Sequence, residues 1–338
     1  MTIKKLEKKD YQRYEDFLLG FEECLFYYSI KYKLFLETVL NIDSNYLLVT
    51  DDEQNILAVL PIMYKEGKYG LVINSLPYYG SNGGIISKSI GAYNFLLSFY
   101  YNLSNKSASS TYINSPFCNK SDIKYDIMEK RISQWTYLNF KDNIEERLLL
   151  SFDGRTRTSI RKAIKGDIQI TIDNNQIEFL TNTHHANMNS IGGKAKTRKF
   201  FELIDKYFDK GTDYNIYIAT INNKKIAALL LFYFNNTVEY FTPVVLKDYR
   251  SFQPLPLLIY KSMIDATKKG YKYWNWGGTW KTQQGVYKFK KQFGAVDKEY
   301  KYFITINNQD IYKATQEELI KEYDDFYVIP FNMLKGKE

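Results

Sequence analysis

Tyr46–Tyr64 reads YLLVTDDEQNILAVLPIMY and Tyr217–Phe234 reads YIATINNKKIAALLLFYF. Each stretch is an aliphatic and β-branched run, a polar turn (Asp51–Asn55; Asn222–Lys225) and a second aliphatic run. A further turn (Lys65–Lys68; Asn235–Thr237) and a third strand follow in each. Thr50 aligns with Thr220, Ile56 with Ile226 and Ala58 with Ala228 without a gap. Two β-meanders in matched positions predict a duplicated domain.

The flanks agree. Helical patterns precede the meanders at Tyr11–Leu40, and at Gln176–Asn189 with Thr197–Lys210. Others follow at Ala92–Leu103 and Leu255–Lys269. In the last, Leu255, Leu258, Ile259 and Met263 recur at helical spacing, and Gly270 stands where a left-handed cap belongs. A strand, Tyr271–Trp276, follows. The predicted fold class is α/β (α+β): two tandem domains, each a mixed, mostly antiparallel sheet flanked by helices. The first covers 1–150 and the second 151–309. The tail 310–338, read as a helix and a short strand, packs back on the first.

The bulk numbers fit. A chain of 338 residues is long for one domain and comfortable for two. Net charge is +8, which favours anionic partners. The two cysteines, Cys24 and Cys118, are far apart, so a disulfide framework and a zinc cluster are not expected. The N-terminus lacks an apolar signal region, and the run around Ile226–Phe234 is too short to span a bilayer. The expected location is cytoplasmic, with no metal.

Three segments carry chemistry. Tyr273–Ala295, YWNWGGTWKTQQGVYKFKKQFGA, reads as a strand, a Gly277-Gly278 turn and a helix from about Gln283 to Phe293. Val286, Phe289 and Phe293 should form its buried stripe. Tyr287, Lys290 and Lys291 fall on the flanks, so Lys290 emerges at a groove edge with its stem packed and its ammonium directed at an anion. The bland alternative is a solvated lysine on a basic helix. The second segment, RTRTSIRKAIKGDIQI (Arg155–Ile170), places Arg157 and Arg161 four apart, able to grip a phosphate; its alternative is a solvated charge run. The third, SLPYYGSNGGI (Ser75–Ile85), is a Gly-rich loop before a helix. Tyr79, Gly83 and Gly84 there offer an anchor for an anionic acceptor, or serve as a structural turn.

These landmarks resemble the GNAT superfamily, and within it the tandem-domain Fem-type (FemAB- and FemX-like) aminoacyltransferases and acyltransferases. The carrier is Gly277-Gly278 followed by Gly285-Val286-Tyr287-Lys288-Phe289-Lys290 and Phe293-Gly294, similar to that group's Gly turn and GxYxFKxxFG helix. Arg155–Ile170 is similar to its N(I/V)RKAxKxG segment. The resemblance implies direct transfer of an acyl or aminoacyl group to an amine of a cell-envelope precursor, a surface-polysaccharide amino sugar or a peptidoglycan peptide. It implies no cofactor. The donor is aminoacyl-tRNA, acyl-CoA or an acyl-carrier thioester. The acceptor is anionic or a lipid-linked glycan, with no DNA partner and at most peripheral membrane contact. By resemblance Lys290 belongs to the reaction centre. Trp276, Gly277 and Gly278 are expected to form one wall of a substrate cleft and the helix carrying Tyr287, Phe289 and Lys290 the next; the alternative for the Gly pair is a plain turn needing positive φ.

Glu239 is the candidate general base, with a solvent-facing glutamate as the alternative. His184 and His185 are expected to serve packing or the surface. YRSFQPLPLL (Tyr249–Leu258) stands where a GNAT domain has its pyrophosphate loop, but two prolines replace the glycines. Proline has no N–H, so the loop is poorer in donors and standard acetyl-CoA binding is in question. The rival function is a non-catalytic protein that binds tRNA or anionic glycan.

Overall fold

The computed structural model describes residues 1–78, 83–114, 123–279 and 283–335. In chain order the elements are β1 (Thr2–Lys5), α1 (Tyr11–Leu19), α2 (Ile30–Leu40), β2 (Leu47–Thr50), β3 (Ile56–Leu60), β4 (Met63–Lys65), β5 (Val72–Asn74), β6 (Ile86–Ser87), α3 (Ile90–Ser104), β7 (Ser109–Asn114) and β8 (Ile127–Tyr137). There follow α4 (Ile144–Ser151), α5 (Gly154–Lys165), β9 (Gln169–Ile172), α6 (Ile177–Asn189), α7 (Arg198–Glu202), α8 (Ile204–Tyr207), β10 (Tyr214–Ile221), β11 (Lys224–Phe234) and β12 (Thr237–Val245). The chain closes with α9 (Pro254–Lys268), β13 (Tyr273–Thr279), α10 (Gln284–Lys291), β14 (Val296–Ile306) and α11 (Gln316–Glu322).

Two compact units form: Met1–Phe21 with Tyr27–Arg131 and Glu299–Glu338, and Glu22–Phe26 with Ile132–Lys298. The division therefore falls at Arg131/Ile132 and Lys298/Glu299, not at 150 and 309. Helix α4 belongs to the second unit because it packs on α9, where Leu148 and Phe152 join the core with Tyr260. Glu22–Phe26 belongs there through Phe26, which stacks on Phe232 at 4.9 Å.

In the first unit, β1-β2-β3-β6 is one antiparallel sheet. The hairpin β4–β5 lies in another, where β5 runs parallel to β7 and β7 antiparallel to β14. The first predicted meander is thus split. Pro61 sits between β3 and β4 and cannot donate to a ladder, so the strand breaks there and its two halves join different sheets. The matched threonines share a feature all the same: the β2–β3 hairpin shifts register between Val49 and Thr50, and the β10–β11 hairpin between Ala219 and Thr220. The tail makes a core of its own, with Ile311, Leu319, Tyr323 and Ile329 packed against Val72, Tyr302 and Ile304. Its helix is α11; the described residues after it contain no strand.

The second unit carries the sheet β9-β10-β11-β12-β13-β8, antiparallel except for β12–β13. Its centre is β11, whose Ile226–Tyr233 run is buried on both faces, which is why it reads as continuous apolar sequence rather than alternation. Each buried leucine there contributes about 2 kcal/mol. Helix α9 starts on Pro254, its φ preset for a first helical position, and covers the sheet with Leu257, Leu258, Met263 and Ile264. Gly270, at φ +88°, ends it as the sequence predicts.

Candidate active site

Strands β12 and β13 pair only over three rungs: Thr237 with Tyr273, Val238 with Trp274 and Glu239 with Asn275. Past Glu239, β12 follows β11, with a register shift that leaves Phe241 as the extra residue. Past Asn275, β13 follows β8, again with a shift: Asn275 pairs with Trp135 and Gly278 with Ser133. Two bulges, facing opposite neighbours, end the β12–β13 pairing at the Glu239–Asn275 rung. The Gly277-Gly278 pair is therefore a bulge inside β13, not a turn after it. Gly277 has φ +71° with open space around its Cα, so backbone conformation, not crowding, calls for glycine there.

Glu239 is 1% exposed, so the solvent-facing alternative is wrong. Its Oε2 accepts a hydrogen bond from Asn275 Nδ2 at 2.8 Å. Asn275 Oδ1 accepts from the Gly277 amide at 2.8 Å and from Ser133 Oγ at 3.4 Å, and Trp135 Nε1 donates to Ser133 Oγ at 2.8 Å. The carboxylate thus orients Asn275, and Asn275 holds the bulge.

Helix α10 faces that bulge with Lys290, which is 5% exposed and the buried residue of the helix. It does not emerge at a groove edge. Its Nζ donates to Thr279 Oγ1 at 2.8 Å, to the Gly278 carbonyl at 3.2 Å and, most loosely, to the Gly277 carbonyl at 3.5 Å. Burial pushes the Lys290 ammonium down from 10.5 to about 8, with desolvation as the sole cause. Val286, expected inside, is 45% exposed, while Phe293 is fully buried and Phe289 half-buried. An internal ammonium rotates the helix relative to the apolar stripe, which is possible because strand carbonyls and a hydroxyl satisfy its donors.

Strand β8 clamps α10 at two points. Gln134 Oε1 accepts from Thr279 Oγ1 at 3.0 Å, and its Nε2 donates to the Tyr287 carbonyl at 3.3 Å. Thr136 Oγ1 accepts from Trp276 Nε1 at 2.9 Å and donates to the Phe293 carbonyl at 3.1 Å. Lys290 and Glu239 are therefore joined through one strand, β13, by contacts that fix both.

The other expected site residues fall elsewhere. Trp276 is 2% exposed and packs with Tyr240, Phe289 and Phe293, so it is core rather than a groove lining. Tyr287 turns its hydroxyl to Asp297 at 2.7 Å. Arg157 is spent on α4: its guanidinium donates to the Phe152 carbonyl at 2.6 Å and the Leu150 carbonyl at 3.4 Å. Arg161 is exposed, so the two arginines make no shared clamp. Gly83 and Gly84, in the first unit, are buried, and the Tyr28 hydroxyl donates to their carbonyls. A Cβ on Gly84 would meet the Ile113 carbonyl at 2.6 Å, so this glycine serves close packing. Tyr79 lies outside the described residues. His184 Nε2 accepts from the Lys196 amide at 3.1 Å, and His185 Nε2 meets the Lys196 carbonyl at 2.7 Å, so both histidines hold a loop. Desolvation, then Lys196, pushes His184 down to about 4, keeping it neutral. The described residues contain no cluster of three metal-ligating side chains.

A pocket of about 320 Å³ opens beside the site, between the end of β12 and the start of α9. Pro243, Val245, Leu255 and Phe289 line it, with Arg250 at an exposed position. It is poor in main-chain donors. Pro254 and Pro256 remove two amides from the first turn of α9, and Pro243 removes one from β12. Asn187 takes both groups of Val245, its Nδ2 donating to the carbonyl at 3.0 Å and its Oδ1 accepting from the amide at 3.1 Å.

The sheet, splayed beyond the Glu239–Asn275 rung, with a buried lysine on α10 and a buried glutamate on β12 both bonded to the bulged strand β13, belongs to a GNAT-like fold. Residues 168–316 match the model of the FemAB family. Among solved structures the fold is similar to that of FemX, with a TM-score of 0.71, 14% identity, and 92% of this chain and 99% of that one covered. It is also similar to the C-terminal domain of a protein assigned as a lysylphosphatidylglycerol synthetase from Agrobacterium fabrum, with a TM-score of 0.57, 11% identity and coverage of 95% and 98%. A tandem GNAT protein from the clavulanic acid biosynthesis pathway gives a TM-score of 0.50, 9% identity and coverage of 90% and 98%. No curated protein matches in sequence.

Asn275, Gln134, Thr279, Thr136 and Asn187 were not anticipated from sequence. One signal was present: RISQWTY (Arg131–Tyr137) puts polar residues on both faces of a strand, which a buried position tolerates only if they are hydrogen-bonded.

Proposed function

We propose that the protein transfers an aminoacyl group from aminoacyl-tRNA to an amine of a cell-envelope precursor, on the cytoplasmic side and without metal or redox cofactor. The observation that carries this reading is the Lys290–bulge–Glu239 arrangement in a FemAB-type segment. The acceptor amine attacks the ester carbonyl, a tetrahedral oxyanion forms, and the tRNA hydroxyl leaves with a proton. In this reading Lys290 exchanges its loosest bond, to the Gly277 carbonyl, for the oxyanion. Glu239 holds Asn275 and the bulge in place, and in this reading its carboxylate takes the proton that the attacking amine loses and returns it to the leaving tRNA hydroxyl. The donor-poor pocket favours tRNA over acyl-CoA, whose pyrophosphate needs the amides that Pro254 and Pro256 lack. FemX and the lysylphosphatidylglycerol synthetase domain support an envelope acceptor. An amino sugar of a lipid-linked glycan and a peptidoglycan peptide are the two acceptors to distinguish. Mass spectrometry of surface glycan and peptidoglycan from cells with and without the gene decides: an aminoacyl mass lost from one of them supports the proposal, and identical envelopes sink it.

A further inference from the structure

Past Glu239 the outer edge of β12 has no strand beside it among the described residues and borders the pocket. A strand edge is a row of N–H and C=O groups able to pair with any extended, amide-bearing chain. In an antiparallel ladder successive residues turn their main-chain groups alternately towards the partner and away from it. The Leu246 amide donates to the Ile226 carbonyl on β11 at 2.9 Å, so the groups of Val245, and of Pro243 two residues before it, turn outward. Both outward positions are closed. Pro243 has no N–H to offer. Val245 gives its amide and its carbonyl to the side chain of Asn187, at 3.1 and 3.0 Å.

A carboxamide is a peptide group in miniature, with a C=O and an N–H side by side as a neighbouring strand would present them. Asn187 reaches the edge from near the end of α6, which packs along β12. That helix is firmly seated, with Leu180, Thr181, Thr183 and His184 buried. The candidate donors differ in what they would lay on this edge. The pantetheine arm of acyl-CoA carries two secondary amides and can dock on an open strand edge as an added strand does. The ester of aminoacyl-tRNA sits on a ribose, which has hydroxyls and no secondary amide. We infer that Asn187 is a donor-selecting residue: its carboxamide, with Pro243, closes the free edge of β12 to amide-bearing thioester arms and leaves the site to a ribose ester. Selection of this kind works by denying the wrong donor its hydrogen bonds. The inference deepens the transfer reading above and rests on it for the ester donor, while the closed edge itself is read from β12 and α6.

The test is equilibrium dialysis of the full chain against labelled acetyl-CoA and S-acetylpantetheine, without tRNA or acceptor. Asn187→Ala frees both groups of Val245 to the pocket. At about fivefold in affinity per main-chain hydrogen bond, both thioesters should bind it about twenty-five-fold more tightly than the parent. Pro243→Ala adds an N–H to the same edge, so the double variant should gain on the order of a hundredfold. Asn187→Leu keeps the space filled and should bind like the parent, which separates the closed edge from any loosening of α6. Asn187→Ser also clears the edge, and it takes the place of the alanine variant if melting shows that one unfolded. The inference is overturned if the parent binds acetyl-CoA as tightly as Asn187→Ala, if neither Asn187→Ala nor Asn187→Ser gains, or if Asn187→Leu gains equally. It is also overturned if the gain appears with acetyl-CoA and not with S-acetylpantetheine, because the nucleotide and not the arm has then found the new site. Transfer from charged tRNA by the parent is measured separately. Its absence beside the predicted gain would sink the transfer reading and leave the closed edge standing; its presence without the gain would sink this inference alone.

Discussion

Lys290→Met removes a buried ammonium while keeping most of the stem's packing, and it should separate chemistry from stability. The parent carries a cost at this position. Its ammonium is displaced from 10.5 to about 8 by burial, and at about 1.4 kcal/mol per unit this is about 3 kcal/mol. The sign follows from proton counting. Below pH 8 both folded and unfolded chains hold the proton, and the full cost is present. Between pH 8 and 10.5 the folded chain has released it while the unfolded chain has not, so this group makes stability rise with pH. Methionine abolishes that rise. At neutral pH the relief of the ammonium offsets the loss of donors to the Gly278 carbonyl and Thr279 Oγ1, about 1–3 kcal/mol each. The variant should therefore be close to the parent in stability near pH 7 and less stable by up to about 3 kcal/mol near pH 10.5. Turnover should fall about a hundredfold to a thousandfold, the usual worth of a fixed oxyanion donor. Parent turnover should decline above pH about 8 as Lys290 deprotonates. Urea denaturation across this pH range and single-turnover transfer supply both readouts. Equal pH slopes of stability in parent and variant would show that the ammonium is not buried as described. Unchanged turnover would remove Lys290 from the chemistry whatever the stability does.

Glu239→Gln keeps the acceptor for Asn275 Nδ2 and removes the charge; turnover should fall by about 10²–10⁴ if the carboxylate handles the proton, and parental turnover in steady-state assays would reduce it to a structural anchor. Gly277→Ala meets no neighbouring atom but must adopt φ +71°, so denaturation should report a loss of about 1–2 kcal/mol; no loss would mean that the bulge relaxes. Arg157→Gln should lower stability by about 1–3 kcal/mol by leaving the Phe152 carbonyl without its charged donor, and should leave the Michaelis constant for a soluble acceptor unchanged. A raised constant at parental stability would restore Arg157 as a substrate contact.

The fold was legible where pattern and burial agree. The β10–β11–β12 meander, helix α9 and its Gly270 cap were readable because apolar runs, a polar turn and a positive φ each leave a sequence trace. The split at Pro61 was legible too, but only to a reader who let one proline outweigh two aliphatic runs. Domain limits were less so, because α4 looks like a linker until its packing on α9 is seen. At the candidate site, side-chain orientations were not legible. Helical periodicity assigns faces by hydrophobicity, and so put Val286 inside and Lys290 outside. It has no means to see that two strand carbonyls and a threonine await an ammonium. Arg157 failed for a related reason: spacing shows that two arginines share a helix side, but not that one of them caps the preceding helix.

The most direct test of the central claim is transfer itself. The purified chain is incubated with tRNA charged with labelled amino acids, or with labelled acyl-CoA, and with amino-sugar and muropeptide acceptors. Label appearing on an acceptor amine, matched by deacylation of tRNA and absent with acyl-CoA, is the predicted result. Transfer from acyl-CoA with none from any charged tRNA would contradict the account.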